Sequence, residues 1–239
     1  MRKLTAEGSE AFEGRFEKPD GAEEVKGGVS AAKMVVKAQK GGKGWGKAEV
    51  TVRTVFEDAA AFFWDVEKLG ELSLSKGVKR IVERKGKGFE VEVKTIELDK
   101  KREFFSTMKL HKVAGKSIII TTKPKGIIER SNTTSLSIVG SAINRLDSLN
   151  KIAELAEETS AFKFTRVKER ETRIELVTEL QLGEGVKKSA VQESLEKHLS
   201  VANDAALYFM KLLGSKEITE SEGKVMGKQL MLEIEHREK

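Results

Sequence analysis

The chain has 239 residues, of which 38% are hydrophobic and 34% are charged, with a formal net charge of +6. This length and apolar content suit one large domain with a buried core and a charged surface. The absence of cysteine excludes a disulfide framework, a thiolate metal site and a cysteine nucleophile. No apolar run approaches the roughly 20 residues of a membrane span, and residues 1–18 lack the apolar core of a secretory signal. We therefore expect a cytoplasmic protein, whose positive charge allows transient contact with an anionic membrane surface.

Residues 1–44 combine many glycines with charge, which predicts a flexible leader. A short helix over Ser30–Gln39 is compatible with the pattern. Gly41–Ala48 imitates a phosphate-binding loop, but Ala48 stands where a magnesium-binding hydroxyl belongs, and the motif precedes a strand. We therefore interpret it as a lead-in and not as a nucleotide site.

Order is expected from Trp45 onward, because the next eight residues alternate apolar and polar side chains as a half-buried strand does. Residues 54–57, Thr-Val-Phe-Glu, are typical of a capping box and predict a helix that runs to Trp64. A hairpin of strands over 78–84 and 89–98 follows. In its second strand the apolar positions shift phase at Ile96, which predicts a bulge near Thr95 and an inward Ile96.

A second hairpin is predicted over 103–113 and 116–123, and a third over 161–168 and 172–182. Between them, residues 125–160 lack the alternating pattern of strands and are interpreted as an insertion. Within it, Asn144–Glu158 has helical spacing of its apolar residues. Alternation predicts a common inward face within each strand. These inward residues are Phe104, Ser106, Met108 and Leu110 in one strand, and Ile174, Leu176, Thr178, Leu180 and Leu182 in another.

The last element is a long amphipathic helix, and a charged tail over 215–239 follows it. Its apolar positions step by three and four residues. They are Val191, Leu195, Leu199, Ala202, Ala206, Phe209 and Leu213. His198 falls on the polar side of this stripe, which predicts a solvated or capping role.

These elements predict an α+β fold in which a curved antiparallel sheet wraps around the long C-terminal helix. A strongly twisted sheet that wraps around one helix packs against that helix at one end and leaves a space between sheet and helix at the other. The small side chains of Ala202 and Ala206 either leave space there or allow close packing, and the pattern does not decide between them. Such a space would be a concave, apolar pocket.

Four stretches carry a family resemblance through their order and spacing. They are Trp45–Arg53 with the helix that ends in Phe62-Phe63-Trp64-Asp65, Arg102–Phe104, Ala161–Thr165 with Thr172–Val177, and Gln181–Val186. Together they resemble START-like lipid-transfer domains of the helix-grip superfamily, of the divergent kind found in unicellular algae and water moulds. The match covers about 45–213 and implies a START-like domain over 45–214. It departs from the family at Lys187, where a proline is common, and over 125–160.

The resemblance implies that a lipid, sterol or other apolar small molecule binds in an internal cavity, for transfer, sensing or regulation of attached domains. It implies neither catalysis nor a cofactor. The residues expected to line the cavity are Phe104, Met108, Phe164, Leu176, Leu180, Leu195, Leu199, Ala202 and Ala206. Arg102 has two interpretations: a buried arginine that meets a ligand carboxylate or phosphate, or a surface arginine at a strand start.

Other chemistry finds little support in the residues. The three histidines lie too far apart for a zinc motif. Glu175 and Glu179 share a strand face with Arg173, which indicates cross-strand ion pairs rather than an acid–base pair. Neither a metal nor specific nucleic acid is expected. Two alternatives stay open: a ligand-free interaction module of this fold, and an enzyme of the cyclase or aromatase kind. For the enzyme, the inward stripes offer mainly Ser106 and Thr178 as polar groups.

Overall fold

The computed structural model describes residues 14–25, 31–65, 77–83, 90–113, 117–125 and 154–214. A 3₁₀ turn lies at Gly14–Phe16. The strands are β1 (Glu23–Glu24), β2 (Lys33–Ala38), β3 (Lys43–Val52), β4 (Val78–Glu83), β5 (Glu90–Glu97), β6 (Arg102–Val113), β7 (Ser117–Pro124), β8 (Glu154–Lys168) and β9 (Glu171–Gln181). The α-helices are α1 (Phe56–Trp64) and α2 (Lys188–Gly214). Of these described helices, neither is long and apolar enough to cross a membrane.

The strands form one sheet in the order β1-β2-β3-β9-β8-β7-β6-β5-β4. Neighbouring strands are antiparallel, and a short parallel contact joins residues 102–104 of β6 to residues 154–156 of β8. The inner face of this curved sheet holds α2, which confirms the predicted α+β architecture of a sheet wrapped around the last helix. The predicted inward faces of β6 and β9 are confirmed too, because Phe104 and Leu176 and their alternate neighbours are buried.

Inward side chains of neighbouring strands line up in rows that cross the sheet, because the register is continuous. One row is entirely apolar, and we call it the apolar row. It consists of Ala48, Leu176, Phe162, Ile120 and Leu110, on β3, β9, β8, β7 and β6 respectively. Each of these residues is buried. This row forms the middle layer of the hydrophobic core.

Two glycines of β3 allow α2 to approach the sheet closely. A Cβ atom built at Gly44 would lie 2.6 Å from Cγ1 of Val191, and one built at Gly46 would lie 2.7 Å from Cδ1 of Leu199. A step of two residues along β3, from Gly44 to Gly46, therefore corresponds to a step of about two turns along α2, from Val191 to Leu199. Two strand residues cover about 7 Å and two helical turns about 11 Å, and both glycines also approach Leu195, which lies between the two contacts. The helix therefore runs along β3, and Ala202 comes level with the strand residues that follow Gly46.

The flexible leader expected over 1–44 is wrong in part, because β2 lies inside it and pairs with β3. The helix considered over Ser30–Gln39 is therefore a strand instead. Its alternate residues Val36 and Ala38 are buried in the core. The glycine and lysine content of the segment hid this alternation. The interpretation of Gly41–Ala48 as a lead-in is wrong in part, because only Gly41 and Gly42 precede β3 and the rest of the motif belongs to that strand.

Two further local predictions are wrong, and a third is wrong where it falls on described residues. The N-cap of α1 is the apolar Val55, and the carbonyl of Thr54 accepts a hydrogen bond from the Thr172 hydroxyl at 2.8 Å, so the capping box does not form. Strand β5 pairs in unbroken register with β4 and β6, without the bulge expected near Thr95. The predicted helix over 144–158 lies mostly outside the described residues, and its last five residues belong to β8. Residues 215–239 also lie outside the described part.

Gly42 closes the turn before β3 and provides the first testable prediction. Its φ is +72°, and a Cβ there would collide with the backbone carbonyl of Gly183. Gly41 has a similar φ of +74° but open space around it. Both alanine substitutions should cost about 1 kcal/mol for the left-handed backbone, and Gly42→Ala should cost roughly a further 1–3 kcal/mol for the collision. Urea unfolding of the two variants measures this difference, and equal losses would contradict the close approach.

Candidate functional site: the interior between the sheet and α2

The first half of α2 carries a histidine into the interior. Ser194 and His198 lie one helical turn apart, and His198 is 1% exposed. Its Nε2 lies 3.2 Å from Oε1 of Glu97, and its Nδ1 lies 3.3 Å from Oε1 of Glu158. The geometry is that of charge contacts rather than of well-aligned hydrogen bonds. The ring thus bridges two buried carboxylates, one at the end of β5 and one on β8.

Arg102, at the start of β6, completes this group. Its Nη1 donates to the Ser194 hydroxyl at 3.1 Å and lies 3.5 Å from Oε2 of Glu97. The Ser194 hydroxyl in turn donates to the same Glu97 oxygen at 3.1 Å. Arg102 is buried, so its interpretation as a surface arginine is wrong. We call Glu97, Arg102, Glu158, Ser194 and His198 the charge cluster.

The charge cluster fixes the ionisation of its members. Burial lowers the pKa of His198, but the negative charges of Glu158 and Glu97 outweigh burial and raise its pKa to about 9. Burial raises the pKa of Glu97, but His198, Ser194 and Arg102 together bring it below its ordinary value. At neutral pH the cluster therefore holds two cations, Arg102 and His198, against two carboxylates.

Sequence reasoning missed most of this cluster, although signals existed. The prediction of a solvated His198 is wrong, because Ser194, His198, Val201 and Ala205 form a second stripe that steps by four, three and four and is wholly buried. On β5 the alternation that begins at Val91 and Val93 continues without a break through Thr95 to Glu97. Hydrophobicity instead predicts Ile96 at the inward position, and that prediction is wrong.

A row of hydroxyl side chains crosses the inner face next to the apolar row. Thr178 of β9 pairs with Ser160 of β8, and Ser160 pairs with Thr122 of β7. We call these three residues the hydroxyl row, and at an inter-strand spacing of about 4.8 Å it spans roughly 10 Å. Met108 of β6 continues the row, and Ser106 follows two residues along the same inward face. All five residues are buried.

Two of these hydroxyls lack hydrogen-bond partners among the described residues. They are Oγ of Ser106 and Oγ1 of Thr178, in side chains that are 3% and 1% exposed. A buried polar group without a partner costs free energy, so native interiors seldom contain one unless water or a ligand completes it. These two hydroxyls therefore mark a place where the interior offers hydrogen bonds that the described side chains do not use.

Between Leu199 and Phe209 most of the inward side chains of α2 are small. Ala202, Ala205 and Ala206 are 0%, 0% and 2% exposed. Given the direction of α2 along β3, they follow Leu199 toward the apolar row. A helix face made of methyl groups fills little of the distance to a curved sheet. The interior thus changes along α2 from charged, through hydroxyl-bearing, to apolar.

Helix α1 closes the apolar end. The ring of Phe63 lies 4.9 Å from that of Phe162 and 5.2 Å from that of Phe164. Phe62 packs edge-on against Phe209 of α2 at 5.3 Å. Phe164, predicted as a cavity wall, therefore lies beneath α1 at this closed end.

The sequence-predicted wall residues all lie on the inner side and are all buried. Phe104 contacts the ring of His198 edge-on at 4.9 Å, so it belongs beside the charge cluster. Leu195 and Leu199 pack against β3, as the glycine geometry shows. Leu176 belongs to the apolar row, and Met108 continues the hydroxyl row. Ala202 follows Leu199 on α2 toward the apolar row. Whether these residues contact a ligand stays a prediction.

The opposite face of the sheet carries a separate feature. The 3₁₀ turn at Gly14–Phe16 covers Trp45, whose indole N–H donates to the Arg15 carbonyl at 3.3 Å. Lys47 donates to the Phe16 carbonyl at 3.2 Å and to Glu175 at 2.8 Å. The predicted cross-strand ion pairs of this face are thus confirmed for Glu175. An open hollow of about 480 Å³ beside the turn is lined by both charge signs and does not fit an apolar ligand.

Comparison with solved structures shows the fold. Human STARD10 matches with a TM-score of 0.58 and 10% identity, covering 88% of this chain and 81% of that one. The lipid transfer and protein localization domain of human StarD13 matches with a TM-score of 0.56 and 10% identity, covering 86% and 98%. A STAR-related lipid transfer protein from Xanthomonas axonopodis matches at 0.51 and 9%, covering 80% and 99%. The chain therefore has the START-like, helix-grip fold. No protein-family model and no curated protein matches the sequence.

Proposed function

We propose that this chain binds a lipid or another apolar small molecule in the interior between the curved sheet and α2, for transfer, sensing or regulation. The observation that carries the proposal is the group of buried alanines on α2 between Leu199 and Phe209. Val191, Leu195 and Leu199 pack on β3, whereas Ala202 and Ala206 face the sheet with single methyl groups. The fold, shared with structures named as lipid transfer proteins, supports the same conclusion.

Two sets of contacts anchor α2 to the sheet. On one side the leucines contact β3 closely, and on the other the charge cluster ties Ser194 and His198 to β5, β6 and β8. Because the sheet curves between these anchors, we expect the largest distance between sheet and helix axis at the strands that separate them. The apolar row lies on these strands. An apolar guest would therefore be enclosed by the apolar row, the alanines of α2 and the aromatic rings under α1.

Enlarging Ala202 tests the proposal. Ala202→Phe should fill the space, lower the affinity for the uncharged fluorophore N-phenyl-1-naphthylamine at least tenfold and leave the melting temperature nearly unchanged. Leu207→Phe is the matched control, since Leu207 is 41% exposed on the same helix and should leave both values unchanged. Native mass spectrometry of the purified wild-type protein should also reveal a co-purified apolar molecule.

The contrary result is equally distinct. If the interior is solid, a phenylalanine at position 202 overpacks the core and destabilises the protein by about 1–3 kcal/mol. In that case wild-type protein would neither bind the fluorophore nor carry a co-purified molecule. Those results together would favour the ligand-free interaction module.

A further inference from the structure

The interior contains hydrogen-bonding groups that the described side chains leave unused. Oγ of Ser106 and Oγ1 of Thr178 lack hydrogen-bond partners among the described residues, although both side chains are at least nine-tenths buried. Each hydroxyl can donate one hydrogen bond and accept two. Both residues face inward, Thr178 within the hydroxyl row and Ser106 two residues from Met108 at the end of that row. They are placed to bind a polar group inside the sheet.

The charges of the interior are already matched with one another. Among the described residues, the charged side chains buried on the inner side are Glu97, Arg102, Glu158 and His198. Arg102 is bound to Glu97 and Ser194, and His198 lies between the two carboxylates. An anionic group brought into this interior would need a cation that is not already neutralised, because an uncompensated buried charge is strongly unfavourable.

We infer that the ligand of this interior is an uncharged amphiphile whose hydroxyl or carbonyl group binds at Thr178 in the hydroxyl row or at Ser106, and not at the charge cluster. This inference rests on the proposed function. The apolar part of such a molecule would extend past the apolar row toward α1, because the interior becomes apolar in that direction. A free fatty acid or a phospholipid carries a charge that nothing in the described interior neutralises.

Three probes with the same chain length test this inference on the full-length protein. Oleyl alcohol, oleate and 1-octadecene, delivered from cyclodextrin, compete with N-phenyl-1-naphthylamine for the wild-type protein. The alcohol should displace the fluorophore at a concentration at least about tenfold lower than oleate, and lower than the alkene. The comparison separates the contribution of the hydroxyl to the affinity from the contribution of the apolar chain.

Removing the hydroxyls should affect the alcohol alone. Because Thr178 and Ser106 lie too far apart for one hydroxyl to reach both, only one of the variants Thr178→Val and Ser106→Ala should weaken binding of oleyl alcohol. The loss should be roughly threefold to tenfold, the value of one neutral hydrogen bond, and binding of 1-octadecene should be unaffected. In the ligand-free protein the same variants should raise the melting temperature by about 2–4 °C, because an unpartnered hydroxyl leaves the core. A purely structural role for these residues would not raise stability and weaken binding together.

Thr165→Val is the matched control. Its hydroxyl is also buried without a partner among the described residues, but Thr165 follows the inward Phe164 and so faces the other side of the sheet. It should leave the affinity for the alcohol unchanged. The inference alone fails if oleate competes as well as the alcohol, if none of the three probes displaces a bound fluorophore, or if both inward variants bind the alcohol normally. If wild-type protein binds no fluorophore and carries no apolar molecule, the proposed function fails and the inference with it.

Discussion

Glu97→Gln is expected to destabilise the protein by about 3–5 kcal/mol, the usual cost of removing one partner from a buried charge pair. Glu97 is 0% exposed and contacts Arg102, Ser194 and His198. The amide that replaces it keeps the shape but not the charge. Two buried cations then face the single carboxylate of Glu158. Equilibrium urea unfolding, monitored by circular dichroism, measures the loss.

Glu103→Gln provides the control on an adjacent strand. Its carboxylate lies 2.8 Å from Nζ of Lys94, but its side chain is 23% exposed on the outer face of the sheet. Partly exposed ion pairs contribute about 0–1 kcal/mol, so this variant should remain close to wild type. Similar losses for the two variants would show that the charge cluster is not a buried network.

A second substitution shows whether Glu97 acts through its charge. In the double variant Glu97→Gln, Arg102→Met, one buried cation is removed together with one carboxylate. We expect this variant to be more stable than the sum of the two single losses implies, by about 0.5–3 kcal/mol, as for residues in direct contact. Additive losses would mean that Arg102 depends on other groups for its burial.

The buried charges also explain which parts of this fold follow from sequence and which do not. Alternation and helical spacing depend only on residues within one element, and they predicted the inward faces of β6 and β9 and the apolar stripe of α2. Burial of Glu97 depends on Arg102, five residues away, and on His198, about a hundred residues away. A pattern within β5 contains no information about those partners. Hydrophobicity then favours Ile96 as the inward residue, whereas the observed register favours Glu97.

The same reasoning applies to the hydroxyl row. Within their own strands, Ser160 and Thr122 give no indication of a polar site. Only the pairing of three strands places them in a continuous row with Thr178. Strand β2 shows the opposite case, since its alternation over Met34, Val36 and Ala38 was present but was overruled by the glycine content around it. Long-range pairing therefore determines the polar part of the interior, while local periodicity determines its apolar part.

Stability should fall as the pH rises from about 6.5 to about 9, because in that window the folded protein keeps the proton on His198 while the unfolded chain releases it. Its pKa is raised to about 9 in the folded protein, from 6.5 as its ordinary value. A raised pKa means that the folded state binds the proton more tightly. The resulting stabilisation is complete below pH 6.5 and is lost as the pH passes through 9. A shift of this size corresponds to a loss on the order of 3 kcal/mol.

At acidic pH the dependence of stability on pH has the opposite sign. The pKa of Glu97 is lowered below its ordinary value of 4.5, so its contribution is present above that pH and decreases as the pH falls further. Maximum stability is therefore expected between about pH 5 and 6.5. Chemical unfolding from pH 4 to 9.5 measures this profile. A Glu158→Gln variant should move the alkaline decline to lower pH, since it removes the first of the two charges that hold the proton on His198.

Titration of the histidine rings by NMR distinguishes this origin from a general effect of alkaline pH. Ring signals of the three histidines can be assigned with His111→Gln and His236→Gln variants. The His198 signal should titrate near pH 9. The His111 signal should titrate below 6.5, because burial and the charges of Lys109 and Lys123 lower its pKa. A His198 midpoint near 6.5 would mean that the two carboxylates do not enclose the ring, and α2 would then lack its second anchor on the sheet.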